Sequence, residues 1–516
     1  MKLFTKFLTF VLLFATNSIA MAVLSGRRIS TNDGLLSNQV NDMAQDEFGF
    51  IWMGTSSGLC RFDGHSFVNY PLIGFENKQI IGNIGTFYID HKNSLLWIET
   101  ASFNHACYDL KKQCFVDYTG THTHQDAYQK SISENGYFWM YELERGIRRI
   151  TYRNGIFECK DYPLGNGILP KCKIRKLITE ERGNAWILTN QGVLHIDSLG
   201  DVKTLLEKGD FLIGQRWKEY IFLLNSDNKI SILTPDGRIT DEIDISSILN
   251  LTERTINSHF IWQDKWLIIT HSSVVVFDLK KHTVEKPSDL QMDYGLVLNE
   301  VNGNYWLSDK NGGLHLLTKT GKKRTFNLLR DKGYTLTHRR RFSVTEGTDG
   351  KFYIATYGNG LFVYDPSTED MKHYTANDPS PMFATNYLTN IMKDNNGGIW
   401  IGQEKAGCVY LYEENRLPIQ YIYAYPDIQE GLGNYISHLK QTTENNIVFT
   451  TRDKKKFQFN PVNNKIRFIG NETFDNNKID SIQDRLGRTW IATWEQGLLL
   501  KEKNCNGKIV QKQSMI

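Results

Sequence analysis

One short phrase returns along the whole chain, and its recurrence constrains the fold more than any single residue does. Its clearest copies are Gly49-Phe50-Ile51-Trp52-Met53-Gly54-Thr55, Gly397-Gly398-Ile399-Trp400-Ile401-Gly402 and Gly487-Arg488-Thr489-Trp490-Ile491-Ala492-Thr493. The central position reads Trp52, Trp97, Trp139, Trp186, Phe222, Leu267, Trp306, Tyr353, Trp400, Val448 and Trp490, which makes eleven units. A period of roughly 40–48 residues centred on an aromatic is the pattern of a β-propeller.

Each repeated position has a physical reading. An acid six residues before the centre (Asp46, Glu180, Glu300, Asp394, Asp484) and a glycine three before it predict a turn. The carboxylate accepts backbone N–H bonds there and glycine supplies φ > 0. The aromatic and its aliphatic neighbours read as a buried strand. Threonine often follows three later, and a second glycine then turns a hairpin. The first unit therefore reads as four strands, 40–45, 50–55, 59–62 and 67–70, here called A to D. Such a unit cannot bury both faces alone and must stack on copies of itself. A smaller signature, Leu36-Ser37-Asn38, recurs as Leu336-Thr337-His338, Leu388-Thr389-Asn390 and Ile436-Ser437-His438 and reads as the lead-in to strand A.

Composition agrees with an all-β globular chain: 40% hydrophobic and 12% aromatic residues, with only 11 prolines in 516. The formal charge of +3 comes from interleaved acids and bases, which excludes a nucleic-acid or anionic-membrane footprint apart from the local run Arg339-Arg340-Arg341. Lys2 and Lys6, the apolar run 7–15 and the small residues around Ala20 and Ala22 form an expected signal peptide over 1–22. Cleavage is expected after Ala20 or Ala22, with a periplasmic destination. No later apolar run is long enough to span a bilayer. The 7 cysteines are too sparse for a disulfide framework, and an odd number leaves one unpaired. Cys159 and Cys172 are the pair considered for a bridge.

The chemical motifs read as scaffold. Gly54-Thr55-Ser56-Ser57-Gly58 fits the G-x-S-x-G pattern, but in a strand–hairpin–strand setting instead of the strand–turn–helix a nucleophile needs. His105, Cys107, Cys114, His122 and His124 cluster without a zinc-site spacing. Acids that repeat in several units point to turns, since one active site needs no multiple copies. No catalytic residue, metal or cofactor is assigned.

The opening, Ile29-Ser30-Thr31-Asn32-Asp33-Gly34-Leu35-Leu36-Ser37-Asn38, leads into Asp46-x-x-Gly49-x-x-Trp52-Met53-Gly54-Thr55-x-x-Gly58-Leu59 and Arg61-Phe62-Asp63-Gly64. This resembles the periplasmic sensor region of Bacteroides-type hybrid two-component systems, built from two-component regulator propeller repeats. The resemblance implies two seven-bladed propellers, a β-sandwich, a membrane helix, a histidine kinase and a response regulator, sensing oligosaccharides from glycans. Eleven repeats then group as a seven-bladed propeller over 27–330 and a partial second propeller of about four blades over 331–516. The chain reads as truncated before the kinase, so it is expected to bind without an output of its own. Its expected partners are an oligosaccharide and a second sensor chain, either as a homodimer or paired with a full-length relative; no nucleic acid is expected.

Antiparallel strands reverse at each turn, so the strand A lead-in and the B–C hairpin share one face. Sugars need apolar faces for stacking and convergent polar groups. On that face Trp494 and Tyr357 suit stacking, while Glu144, Arg145, Gln191, His338 and Arg339 suit hydroxyls or an acidic sugar. The alternative reading is an exported propeller glycosidase or polysaccharide lyase, which requires paired carboxylates.

Overall fold

The computed structural model describes residues 25–516 apart from 75–79, 119–129, 135, 143–144, 154, 181–182, 249–255, 271–272, 288–289, 291–295, 310–312, 327–341, 380, 413–435, 443, 445, 452–453, 461–464, 472–477, 484–487, 494–497, 504–508 and 515–516. The signal segment lies outside these residues. Contacts divide the chain into two units, Met1–Pro418 and Ile419–Ile516.

The first sheet shows how the repeat makes its strands. Val40–Gln45, Ile51–Thr55, Gly58–Phe62 and Phe67–Tyr70 pair in that order, all antiparallel. Asp46 is the knot between strands A and B. One carboxylate oxygen accepts the N–H groups of Phe48 (3.0 Å) and Phe50 (2.9 Å), and the other accepts the Trp52 indole N–H at 2.7 Å. Asp394 repeats this on Asn396, Gly398 and Trp400, and Glu180 accepts the Trp186 indole at 2.9 Å. At the far end of strand B, Thr55 donates to the Gly58 carbonyl at 2.8 Å, as Thr189 does to Gly192 and Thr356 to Gly360. The second glycine is required by strand D. A Cβ at Gly192 would lie 2.1 Å from the Leu206 carbonyl oxygen, so no side chain fits. Glu300 departs from the pattern: the buried Trp306 indole has no hydrogen-bond partner among the described residues, and Glu300 bonds Tyr305 instead.

Among the described residues nine four-stranded sheets fall in the first unit: 40–70, 84–116, 130–163, 174–206, 211–244, 256–285, 296–326, 342–374 and 388–412. They are numbered 1 to 9. The ninth borrows its outer strand from the other end of the unit, for Ser25–Ile29 pairs antiparallel with Gly407–Tyr412, Arg27 opposite Tyr410. The junction of sheet 9 with sheet 1 reproduces that of sheet 8 with sheet 9. Gly360 donates to the Asn386 carbonyl and Gly407 to the Asn38 carbonyl. The Asn386 side chain accepts from Ala376 N–H, and that of Asn38 from Thr31 N–H. Thr375 bonds Asp378 as Ser30 bonds Asp33, closing a short capped turn before Gly34. Met53, Cys60 and Phe62 of sheet 1 share one core with Trp400, Cys408 and Tyr410 of sheet 9.

Three expectations are corrected here. The grouping into seven blades ending near residue 330 is not the one the strand pairing draws, because repeat number does not say which sheet the first strand completes. Leu388-Thr389-Asn390 is not the equivalent of Leu36-Ser37-Asn38. Leu388 already begins strand A, and the matching lead-in is Thr385-Asn386. Cys159 and Cys172 are both free thiols, with the Cys159 Sγ donating to the Tyr118 carbonyl.

The second unit holds two further four-stranded sheets, 436–471 and 478–514. Phe449, Phe457 and Phe459 form a buried core in the first of them. Among the described residues no helix is long and apolar enough to cross a membrane.

The Asp46 knot makes a quantitative expectation. Asp46→Ala orphans two backbone donors and a buried indole, at about 1–3 kcal/mol each before relaxation. Denaturant unfolding followed by tryptophan fluorescence is expected to show a loss of about 3 kcal/mol. Glu300→Ala, where the carboxylate does not hold its tryptophan, is expected to lose less than about 1 kcal/mol.

Candidate functional site

Most adjacent sheets touch through their A strands, with sheets 3 and 4 and sheets 5 and 6 the exceptions, and these strands form the inner wall of the first unit. Strand A carries a recurrent irregularity. Its pairing with strand B slips by one residue between Val40 and Asp42, Ile84 and Thr86, Ile174 and Lys176, Phe211 and Ile213, and Ile256 and Ser258. This is a β-bulge, which leaves one residue unpaired and re-aims its side chain. The bulged residues in these sheets are Asn41, Gly85, Arg175, Leu212 and Asn257.

In most of the wall the polar residues at or beside the bulge are spent on the neighbouring sheet. Asn41 donates to the Ile84 carbonyl at 2.7 Å. Asp42 accepts from Thr86 (2.7 Å), from Phe87 N–H (3.0 Å) and from the Asn390 amide, tying sheets 9, 1 and 2 together. Asn299 donates to the Val344 carbonyl at 3.1 Å.

Sheets 3 to 6 depart from this belt. There a cavity of about 460 Å³ opens, lined by Tyr141, Arg175, Lys176, Leu212, Ile213, Ile256, Asn257, Ser258 and His259. Arg175, Leu212 and Asn257 are all bulge residues. Arg175 is fixed by a bidentate pair with Asp210, Nε at 2.9 Å and Nη2 at 2.7 Å. The Tyr141 phenol accepts from the Leu177 backbone, and burial pushes its pKa up. Asn257 Nδ2 is buried and has no hydrogen-bond partner among the described residues.

Lys176 Nζ lies 2.5 Å from His259 Nε2, while the Trp266 indole nitrogen approaches Nδ1 at 3.3 Å. A neutral imidazole has one acceptor nitrogen. The indole can only donate, so Nδ1 accepts from Trp266, and Lys176 Nζ lies against the other ring nitrogen. Burial, with the Lys176 charge second, lowers the His259 pKa to about 3, so the ring is neutral at physiological pH.

Of the expected loop-tip residues, Arg145, Gln191 and Tyr357 lie at the hairpin ends of their sheets and are not among the residues lining the cavity. Gln191 is exposed at the hairpin of sheet 4. The preceding Asn190 exchanges bonds with Lys173, at the lead-in to the strand that carries Arg175 and Lys176. Arg145 is exposed beside the hairpin of sheet 3, its carbonyl accepting from Leu164. Tyr357 packs edge-on against Tyr387 at 5.1 Å, between sheets 8 and 9. Glu144, His338, Arg339 and Trp494 lie outside the described residues. Ser56 of the G-x-S-x-G stretch bonds the Ser37 hydroxyl at 2.8 Å. Of the His/Cys group, His105 contacts Glu99, Cys107 is buried and Cys114 exposed, while His122 and His124 lie outside the described residues.

Sequence reasoning missed the strand A residues, although a signal exists. The buried positions of strand A in sheets 1, 4 and 9 fall three apart, as in Ile174 and Leu177, where an unbroken strand alternates by two. That spacing marks the bulge.

The stacked four-stranded sheets with one shared inner wall define a β-propeller. Residues 34–57 match the family described as two component regulator propeller. A stretch of 38 residues is 50% identical to Histidine kinase P4 of Formosa agariphila and spans 7% of this chain but only 3% of that protein. The extracellular domain of the hybrid two component system BT4673 from B. thetaiotaomicron aligns at 16% identity over 95% of this chain and 73% of that one, with a TM-score of 0.31. That of BT3049 from the same organism aligns at 18% identity over 94% and 82%, with a TM-score of 0.24. Structural likeness at that level carries no argument, and the propeller assignment stands on the strand pairing.

The His259 environment gives a pH expectation. The unfolded chain protonates His259 near its ordinary 6.5 and the folded chain only near 3. Stability from this group is therefore complete above pH 6.5 and is lost as pH falls toward 3. Thermal melts at pH 7.5 and 5.0 are expected to show a larger drop in midpoint for the native chain than for His259→Gln, whose side chain does not titrate.

Proposed function

We propose that this chain is the ligand-sensing propeller of a hybrid two-component system, exported to the periplasm, and that its ligand is an oligosaccharide released from a glycan. The observation that carries the reading is the cavity on the inner wall. It falls within the ~300–1,000 Å³ of small-molecule sites, and polar groups from separate sheets converge on it. The match of residues 34–57 to the two component regulator propeller family supplies the signalling context. The described wall offers cations, an amide, a hydroxyl and a phenol in place of the paired carboxylates that glycoside hydrolysis uses. This favours binding over turnover.

The mechanism is differential affinity. A ligand spanning sheets 3 to 6 favours whichever arrangement of the inner strands grips it best and biases the chain toward that state. A second sensor chain, as a homodimer or a longer relative, receives that bias and passes it to genes for glycan use. Gln191, on the hairpin above the Arg175 strand, would meet the outer part of the ligand.

Titration calorimetry with a panel of neutral and acidic oligosaccharides, followed by chromatography of the mixtures, tests the reading. Saturable binding without new products is expected. Turnover of any probe would establish the glycosidase or lyase reading instead, and absence of binding across the panel would remove the sensor reading.

A further inference from the structure

The sheets of the first unit pack by one rule. The residue at the centre of strand B shares a core with the strand B residues that flank the centre of the next sheet. Trp52 does so with Leu96 and Ile98, and Tyr353 with Ile399 and Ile401. The rule holds for all nine sheets, and sheet 9 applies it to sheet 1 through Trp400 on Ile51 and Met53. Side chains alternate across a strand, so each sheet has a giving face, which carries the central residue, and a receiving face, which carries its neighbours. Strand A divides in the same way. Val40 and Met43 sit in the core on the receiving face of sheet 1, 0% and 5% exposed. Met392, opposite Trp400, packs on that core from the giving face of sheet 9.

The two sheets of the second unit, 436–471 and 478–514, are numbered 10 and 11. Register fixes their equivalents. Ile436 pairs with Thr451 and Leu439 with Phe449, as Val40 pairs with Thr55 and Met43 with Met53. Yet Ile436 is 52% exposed and Leu439 69%. The core beside them, Phe449, Phe457 and Phe459, includes no central residue of another sheet among the described residues. Sheet 11 shows the converse. Ile482 pairs with Trp490 as Met392 pairs with Trp400. Ile482 is 71% exposed, and Trp490 is partly exposed where Trp52, Trp139, Trp186 and Trp306 are fully buried. Sheet 10 thus has a receiving face open along strand A, and sheet 11 an open giving face.

We propose that the second unit is a docking surface for a second copy of this chain, in which Ile482 and Trp490 of sheet 11 pack on Ile436 and Leu439 of the partner subunit, and reciprocally. A unit with one open face of each kind is complementary to itself. Two copies satisfy both kinds of face twice, and head-to-tail contacts of this sort form a ring where the rotation closes. The resulting ring of sheets falls within the range of about four to eight blades that propellers adopt. Removing these aliphatic side chains and the indole from water drives the association. This gives the second sensor chain of the proposed function its surface. It rests on strand packing and needs no ligand, so its failure and the failure of the oligosaccharide reading are separate results.

The test uses the whole chain without ligand. Sedimentation velocity is expected to show a dimer at micromolar concentration. Leu439→Asp and, separately, Ile482→Asp put a charge into the contact and are expected to weaken association about 10-fold or more. Both residues are exposed in the single chain, so the melting curve of the monomeric variants is expected to match that of the native monomer. A photo-crosslinking amino acid at Ile482, in an equal mixture of isotope-labelled and unlabelled chains, reads the contact itself. Adducts that join labelled to unlabelled peptides within Ile436–Gln441 support the head-to-tail pairing. A monomer at these concentrations leaves the two faces to further repeat sheets and overturns the assignment to a second copy. A dimer untouched by both variants overturns it, as do Ile482 adducts confined to one chain or joining Ile482 to the same strand of a second copy.

Discussion

The fold depends on a single knot repeated around the inner and middle strands. A carboxylate at the A–B turn holds two backbone N–H groups with one oxygen and a buried indole with the other, as Asp46 does for Trp52 and Asp394 for Trp400. This fixes turn and ring together, so sheets 1 and 9 each present a rigid aromatic to the core. The threonine at the far end of strand B then closes the hairpin, and the second glycine lets strand D approach. With both ends of strand B pinned, the remaining freedom in a sheet lies in strand A. That is where the bulges occur and where the cavity opens.

Much of this was legible in the residues. The expected strands 40–45 and 67–70 are those observed, and the two between them differ by one residue at their first positions. Acid, glycine, aromatic and threonine sit at fixed offsets because each acts within one unit. Closure was not legible, for the opposite reason. Ser25–Ile29 carries no mark of the strand it joins, since its partner Gly407–Tyr412 lies at the far end of the unit. The evidence for that pairing is a set of paired turns, Ser30 with Asp33 and Thr375 with Asp378, which becomes informative only after the strands are placed. Glu300 shows the limit of reading by offset, for it sits at the acid position and leaves Trp306 unbonded.

The cavity wall was not legible by residue. Strand parity predicts ligand contacts at the hairpin face, whereas the cavity is lined by residues of the strands themselves. The residues chosen were hairpin tips, because loops vary and usually carry function. The wall is built instead from bulged strand residues, Arg175, Leu212 and Asn257, whose direction depends on a one-residue slip in register. A bulge needs only one extra residue and no special amino acid, so it leaves a trace in the spacing of buried positions and none in composition.

The central structural claim is that the first strand completes sheet 9. A photo-crosslinking amino acid in place of the exposed Arg27, activated in the folded chain and mapped by mass spectrometry, tests it directly. The account requires adducts in Ile399–Gln403 or Gly407–Tyr412, the strands beside Tyr410. Adducts in Lys323–Phe326, the outer strand of sheet 7 beside which a seven-sheet ring would receive the first strand, would contradict it.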